Sequence, residues 1–100
     1  MDNGNEQMQV EFHGKANAVY YSICHGFEIA VANVSRTKDE YKFQQLKKHY
    51  ASMLEQELEV IAKTVLASFK KEKQLNEVDL MFKRFIKEYL HRFIQKVNDL

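Results

Sequence analysis

The feature that most constrains this chain is a long segment without residues that break a helix. The 100-residue sequence has no proline, and its three glycines are Gly4, Gly14 and Gly26. Glycine and proline commonly form the turns that interrupt helices and strands. Residues 27–100 therefore favour long helices whose ends depend on capping side chains. The sequence predicts an all-α fold.

The first predicted helix spans residues 16–34, where apolar residues recur at the three- and four-residue spacing of an α-helix. Gly26 lies inside this segment and costs roughly 1 kcal/mol relative to alanine. We expect another helix to cross closely at Gly26, in preference to a break in the helix. Residues 1–15 are polar and are predicted to form a flexible tail, which precedes a single helical domain of residues 16–100.

Two further helices are predicted over residues 38–72 and 77–98. Thr37 and Glu40 have the spacing of a capping box, and Asn76 is a favourable residue at a helix N-terminus. Apolar residues keep the helical register throughout the first of these two segments. A helix of that length is roughly 50 Å long at 1.5 Å per residue. We therefore expect an elongated three-helix bundle or a helical hairpin.

The helix predicted over residues 77–98 carries more apolar residues than one buried stripe requires. A helix that packs on a globular core usually has a single apolar stripe about 100° wide. Here apolar residues occur in pairs at four-residue intervals: Met81-Phe82, Phe85-Ile86, Tyr89-Leu90 and Phe93-Ile94. The pairs predict a wider surface, one side of which packs within the chain while a partner chain completes the other.

Aromatic residues are predicted to carry the contact with that partner. They bury large areas and are enriched at the centres of protein interfaces. In this interpretation the line through Phe82 and Phe93 faces the partner, and the line through Ile86 and Leu90 faces the chain's own core. The partner is another helical subunit, in a homodimer or a heterodimer. The predicted partner-binding residues are Phe82, Phe85, Tyr89, Phe93, Tyr50 and Phe69.

No residue pattern in the sequence predicts catalysis, a cofactor or a metal site. The four histidines never have the i, i+4 spacing that would place two of them on one helix face. Glu55 and Glu59 have that spacing, but the sequence has only one Glu-x-x-His pair, Glu88 and His91, where di-iron bundles need two. There is no glycine-rich phosphate loop, no nucleophile elbow and no Cys-x-x-Cys pair. We therefore expect a protein that is not an enzyme.

The charged side of the third predicted helix leaves three interpretations open. Its basic residues are Lys83, Arg84, Lys87, His91, Arg92 and Lys96. The simplest interpretation is a solvated face above a buried stripe. One alternative is a histone-like basic dimer that binds nucleic acid, which the formal net charge of +1 does not favour. The other is a small adaptor whose third helix engages a groove or a membrane surface.

The cellular location is predicted from what the sequence lacks. No apolar run approaches the roughly 20 residues that a transmembrane helix needs. The first residues are polar and acidic, which is not typical of a signal peptide. The single cysteine, Cys24, fits a reducing compartment. We expect an intracellular protein, nuclear or cytoplasmic.

The start of the third predicted helix resembles a known family. The run Leu-Asn-Glu-Val-Asp-Leu at residues 75–80 is similar to the Leu-Asn-x-hydrophobic-Asp turn of the polyamine-modulated-factor family, small subunits of the kinetochore MIND complex. The Tyr-Lys-Phe segment at residues 41–43 resembles the aromatic lead-in of that family, and the resemblance covers about residues 40–90. It implies a nuclear, centromere-associated helical head that acts in cell division and pairs with a second MIND subunit as a heterodimer.

Overall fold

Three α-helices make up the chain in the computed structural model, which describes residues 3–69 and 75–99. Helix α1 spans Asn3–Val31, α2 spans Glu40–Phe69 and α3 spans Leu75–Asn98. The described residues contain no β-strand. The molecule measures 52 × 20 × 19 Å. The prediction of an elongated all-α bundle of three helices is therefore confirmed.

The N-terminal segment is helical, so the prediction of a polar tail over residues 1–15 is wrong for the part that the structure describes. Met8, Phe12 and Ala16 are fully buried. Their four-residue spacing continues the apolar stripe of α1 toward its N-terminus, while Glu11 and Lys15 between them are exposed. Residues 1 and 2 lie outside the described residues. Helix α1 thus begins thirteen residues earlier than predicted, at Asn3 instead of residue 16.

The connection between α1 and α2 begins earlier than predicted. Helix α1 ends at Val31 rather than residue 34, and the Val34 N–H donates to the Val31 carbonyl at 3.0 Å. The Ser35 hydroxyl accepts the Lys38 N–H at 3.1 Å. Ser35 therefore caps this turn, in place of the predicted box formed by Thr37 and Glu40. The predicted C-terminal limit of α2, residue 72, lies outside the described residues.

The three helices alternate in direction. Ring pairs match α1 to α3 in the same order along both helices, with centroid distances of 5.0 Å for Phe12–Phe82 and 5.6 Å for Phe27–Phe93. Helix α2 runs the opposite way, because its Lys47 ammonium donates to the Asn98 side-chain oxygen at the end of α3, at 3.1 Å. One continuous apolar core lies among the three helices.

Gly26 allows α1 and α2 to approach closely, as predicted. A β-carbon at this position would lie 3.2 Å from Cε1 of Tyr50. That distance is shorter than ordinary van der Waals contact, so a larger residue would push the Tyr50 ring away. The helix continues without a break through Gly26.

Candidate partner-binding surface

Three of the predicted partner-binding residues form the core of the chain itself. Phe82, Tyr89 and Phe93 are at most 2% exposed. Phe82 packs on Phe12 of α1, in the segment that was expected to be a tail. Tyr89 and Phe93 pack on Tyr20 and Phe27, which lie in the part of α1 that was predicted to be helical. The prediction that these aromatic residues face a partner is wrong, because α1 already covers them.

The other predicted partner-binding residues are less enclosed. Phe85 is half-buried, and its ring lies 4.5 Å from the ring of His13 on α1. Tyr50 is half-buried and packs against Phe27 at a ring-centroid distance of 5.7 Å. The side chain of Phe69 lies outside the described part of the structure. The predicted set therefore does not form one exposed surface.

A polar cluster links α1 to α3 at Tyr89. The Tyr89 hydroxyl donates to the Asn17 side-chain oxygen at 3.0 Å, and it lies 2.9 Å from Nδ1 of His13. With its proton directed at Asn17, the hydroxyl oxygen accepts from the His13 N–H. Burial raises the pKa of Tyr89. The Arg92 guanidinium lies 5.0 Å from the centroid of the Tyr89 ring. This cluster orients α3 on α1. It was not predicted from the sequence, because Tyr89 is more than seventy residues from both His13 and Asn17.

A groove lies between α2 and α3. Its volume is about 670 Å³, and it is open to solvent on one side. Its lining residues are Glu55, Glu59, Ala62, Lys63, Leu66, Asp79, Leu80, Phe82, Lys83, Arg84, Ile86 and Lys87. Apolar side chains form the floor, and charged side chains form both rims. We call this feature the α2–α3 groove.

Apolar surface extends from the groove along α3. Leu80 is 62% exposed at its edge. Leu90 and Ile94 are half-buried and follow Ile86 at four-residue intervals, which places them on neighbouring positions of one helix side. The line through Ile86 and Leu90 was predicted to face the core. Its buried members Ile86 and Val97 agree with that assignment, whereas Leu90 and Ile94 remain partly accessible. The aromatic line is therefore mostly core, and the line through Ile86 and Leu90 is core only in part.

The two rims of the groove carry opposite charges. Helix α2 contributes Glu55 and Glu59, and α3 contributes Arg84 and Lys87. No ion pair within residues 6–68 and 77–99 crosses the groove. One ion pair lies within the α3 rim, where the Lys83 ammonium is 3.1 Å from an Asp79 carboxylate oxygen. The carboxylates of Glu55 and Glu59 are therefore not paired with the basic groups of Arg84 and Lys87.

The basic side of α3 is not one continuous patch. Lys83 pairs with Asp79, Lys96 lies 3.8 Å from a Glu28 carboxylate oxygen, and the Arg92 guanidinium stacks on Tyr89. Three of the six basic residues predicted on this side therefore make contacts within the chain. The remaining ones, Arg84, Lys87 and His91, are exposed.

Other features of the described residues do not form a chemical site. No group of histidine, cysteine and acidic residues in that part of the chain is arranged to hold a metal ion. Cys24 is buried, and burial raises the pKa of its thiol. Of the helices described, none has the length and apolar character needed to cross a membrane.

Comparisons of the chain with protein-family models, curated proteins and solved structures give no match. The resemblance of residues 75–80 to the polyamine-modulated-factor family therefore stays a prediction.

Proposed function

We propose that this protein is a non-catalytic assembly module that pairs with another helical subunit. The observation that carries the proposal is the α2–α3 groove, which has an apolar floor and an exposed leucine, Leu80, at its edge. Amphipathic helices bind other helical proteins by laying their apolar side into such a groove. A helix placed there would turn the three-helix bundle into a four-helix arrangement, whose packing is common in proteins.

The dimensions of the molecule are adequate for such an interface. Stable protein interfaces bury about 800 Å² on each partner. One side of this bundle is 52 Å long and about 20 Å wide, so two neighbouring helices offer an area of that size. Full burial of a leucine side chain contributes about 1.5–3 kcal/mol. Leu80, Leu90 and Ile94 together can therefore supply a substantial part of the binding free energy.

The finer proposal is that the chain is the helical head of a kinetochore MIND-complex subunit, in the nucleus, paired with a second subunit of that complex. It rests on the resemblance of residues 75–80. Within this run Val78 is buried in the core, and Asp79 and Leu80 line the α2–α3 groove. The run thus contributes both to the fold and to the proposed interface.

The alternative functions receive less support from the arrangement of charges. A nucleic-acid-binding helix needs several uncompensated basic residues directed at phosphates. On α3, however, contacts within the chain engage Lys83, Arg92 and Lys96. A membrane-surface helix requires a broad exposed apolar side. The most deeply apolar side of α3 is instead buried against α1 and α2.

Site-specific photo-crosslinking in the cells that express the protein tests the proposed function. A photoreactive residue replaces Leu80 at the groove in one variant, and Gln56 on the exposed outer side of α2 in the matched control. We expect one discrete protein adduct from position 80 and none from position 56. Absence of an adduct at position 80, or equal adducts at both positions, would contradict the assignment of the groove as the assembly surface.

A further inference from the structure

The charges on the two rims of the α2–α3 groove specify the chemistry of a partner, provided that the groove is the assembly surface named in the proposed function. Glu55 and Glu59 stand one helical turn apart on α2. Arg84 and Lys87 stand on one side of α3, across the apolar floor. None of these residues takes part in an ion pair with another described residue. Both rims are therefore available to charges that a partner brings.

We propose that the groove binds one amphipathic helix of a partner protein, with basic residues on its flank beside α2 and acidic residues on its flank beside α3, and that these charges fix the direction in which the helix lies. A helix with an apolar stripe has two flanks beside that stripe. When the helix is turned end to end in the groove, its stripe still faces the floor, but its flanks exchange places. Opposite charges on the rims therefore accept such a helix in one direction and oppose it in the other.

The opposite charges of the two rims extend over only part of the groove's length. Lys63 follows Glu59 by one turn on α2, and Asp79 pairs with Lys83 near the start of α3. The acidic rim is therefore limited to Glu55 and Glu59, and the uncompensated basic rim to Arg84 and Lys87. Apolar burial provides most of the affinity, because exposed ion pairs each contribute little. The same pairs discriminate strongly between directions, because attraction in one direction becomes repulsion in the other.

The experiment uses the full chain and three designed helical peptides of identical composition, each with leucines at the a and d positions of three heptads. The first has lysines on one flank and glutamates on the other. The second has glutamates on both flanks, and the third has lysines on both. To keep the composition identical, the lysines of the second peptide and the glutamates of the third occupy positions that face away from the groove. Each peptide is used below its own self-association concentration. We expect the mixed peptide to bind about tenfold more tightly than either of the others, since each of those opposes one rim.

The direction of the bound peptide is measured with a spin label at the N-terminus of the mixed peptide. The label broadens the NMR signals of the protein residues near it, which identifies the end of the groove where the peptide N-terminus lies. The variant Glu55→Lys/Glu59→Lys/Arg84→Glu/Lys87→Glu exchanges the rims without changing the net charge. We expect the label to move from one end of the groove to the other in this variant, with little change in affinity. Circular dichroism establishes that the variant is folded, and Gln56→Lys/His49→Glu serves as the control with charges changed outside the groove.

Each outcome decides one of the two proposals. Equal affinity for the three peptides, or a label position that the rim exchange does not move, overturns the inference about charge but leaves the groove as a helix-binding surface. Dimerisation of the chain alone through the groove, detected by light scattering and lost in Leu80→Glu, also overturns it, because a second copy is then the occupant. If no peptide binds and position 80 gives no photo-adduct, the proposed function fails as well.

Discussion

Gly26 and Tyr50 set how closely α1 and α2 approach, because a β-carbon at position 26 would lie 3.2 Å from Cε1 of the tyrosine ring. Glycine is unfavourable inside a helix by roughly 1 kcal/mol relative to alanine. The close packing of α1 on α2 therefore offsets the unfavourable free energy of a glycine inside α1. Gly14 lies in the same helix with no heavy atom within 4 Å of the corresponding position, which makes it a natural control.

The first prediction compares alanine at these two glycines. Gly14→Ala should raise the free energy of unfolding by about 0.5–1 kcal/mol, because it removes the helix penalty and meets no neighbour. Gly26→Ala should gain less or destabilise the protein, because the Tyr50 ring must shift. Urea denaturation monitored by circular dichroism measures both values. An equal gain at the two positions would show that the helices do not cross closely at Gly26.

The second prediction concerns the N-terminal half of α1. Phe12 is fully buried and lies 5.0 Å from the ring of Phe82, whereas Val10 is 72% exposed on the same helix. Phe12→Ala should lower the free energy of unfolding by about 3–5 kcal/mol. Val10→Ala should change it by less than about 0.5 kcal/mol. If both variants were as stable as the wild-type protein, residues 3–15 would not be part of the core.

Much of the fold was predictable from the sequence because its signals are local. The absence of glycine and proline after Gly26 and the regular apolar spacing identified α2 and α3. The start of α1 was missed because Gly4 and Gly14 lower helix propensity, and because Val10 and Phe12 alternate with polar residues. The stripe of Met8, Phe12 and Ala16 was present, but two glycines in the segment favoured a tail.

The candidate site was harder to predict because it depends on which helix covers which side of α3. The width of the apolar surface on α3 was identified correctly. Its aromatic line was assigned to a partner because aromatic residues are enriched at interface centres. In addition, the N-terminal half of α1, which covers Phe82, had been treated as a tail. With α1 in place, Phe82 and Phe93 become core, and the accessible apolar residues on the groove side of α3 are Leu80, Leu90 and Ile94.

The third prediction concerns alkaline pH. Burial, and to a lesser extent the neighbouring Cys24 thiol, raises the pKa of Tyr20 from about 10 to about 12. A folded-state pKa above the unfolded value means that the unfolded chain loses this proton first as the pH rises. The contribution of Tyr20 to stability is therefore complete below pH 10 and is lost as the pH rises toward 12.

Tyr20→Phe tests this assignment. The variant should show a smaller loss of stability between pH 10 and pH 12 than the wild-type protein, when both are unfolded by urea at a series of pH values. Tyr21→Phe is the matched control, because Tyr21 is 67% exposed on the same helix. If the two variants had the same pH dependence as the wild-type protein, titration of Tyr20 would not be linked to folding.

The fourth prediction concerns nucleic acid. Ion pairs and ring contacts engage Lys83, Arg92 and Lys96, and the formal net charge is only +1. Affinity for duplex DNA at physiological salt should therefore be no better than non-specific, with Kd on the order of 10⁻⁴–10⁻⁶ M. Fluorescence anisotropy with a labelled duplex measures it. Submicromolar binding with a steep salt dependence, abolished by Arg84→Glu/Lys87→Glu, would instead support a nucleic-acid-binding protein.

The last prediction separates core from interface on α3 with two residues that are close in sequence. Phe82 is 1% exposed and packs on Phe12, while Leu80 is 62% exposed at the edge of the groove. Phe82→Glu should unfold the chain, because an unpaired buried charge costs several kcal/mol against a total stability of about 5–15 kcal/mol. Leu80→Glu should leave the free energy of unfolding within about 0.5 kcal/mol of the wild-type value.

Leu80→Glu should at the same time lose most of the affinity for a groove-binding helix, since it places a charge where the partner's apolar stripe would be buried. Circular dichroism during urea denaturation measures stability. Isothermal titration with the mixed-flank peptide measures binding, and Gln56→Glu provides a folded control with a new charge on the outer side of α2. A Phe82→Glu protein that remains folded would contradict the assignment of the aromatic line to the core. A Leu80→Glu protein that binds the peptide as tightly as the Gln56→Glu control would place the interface elsewhere on the bundle.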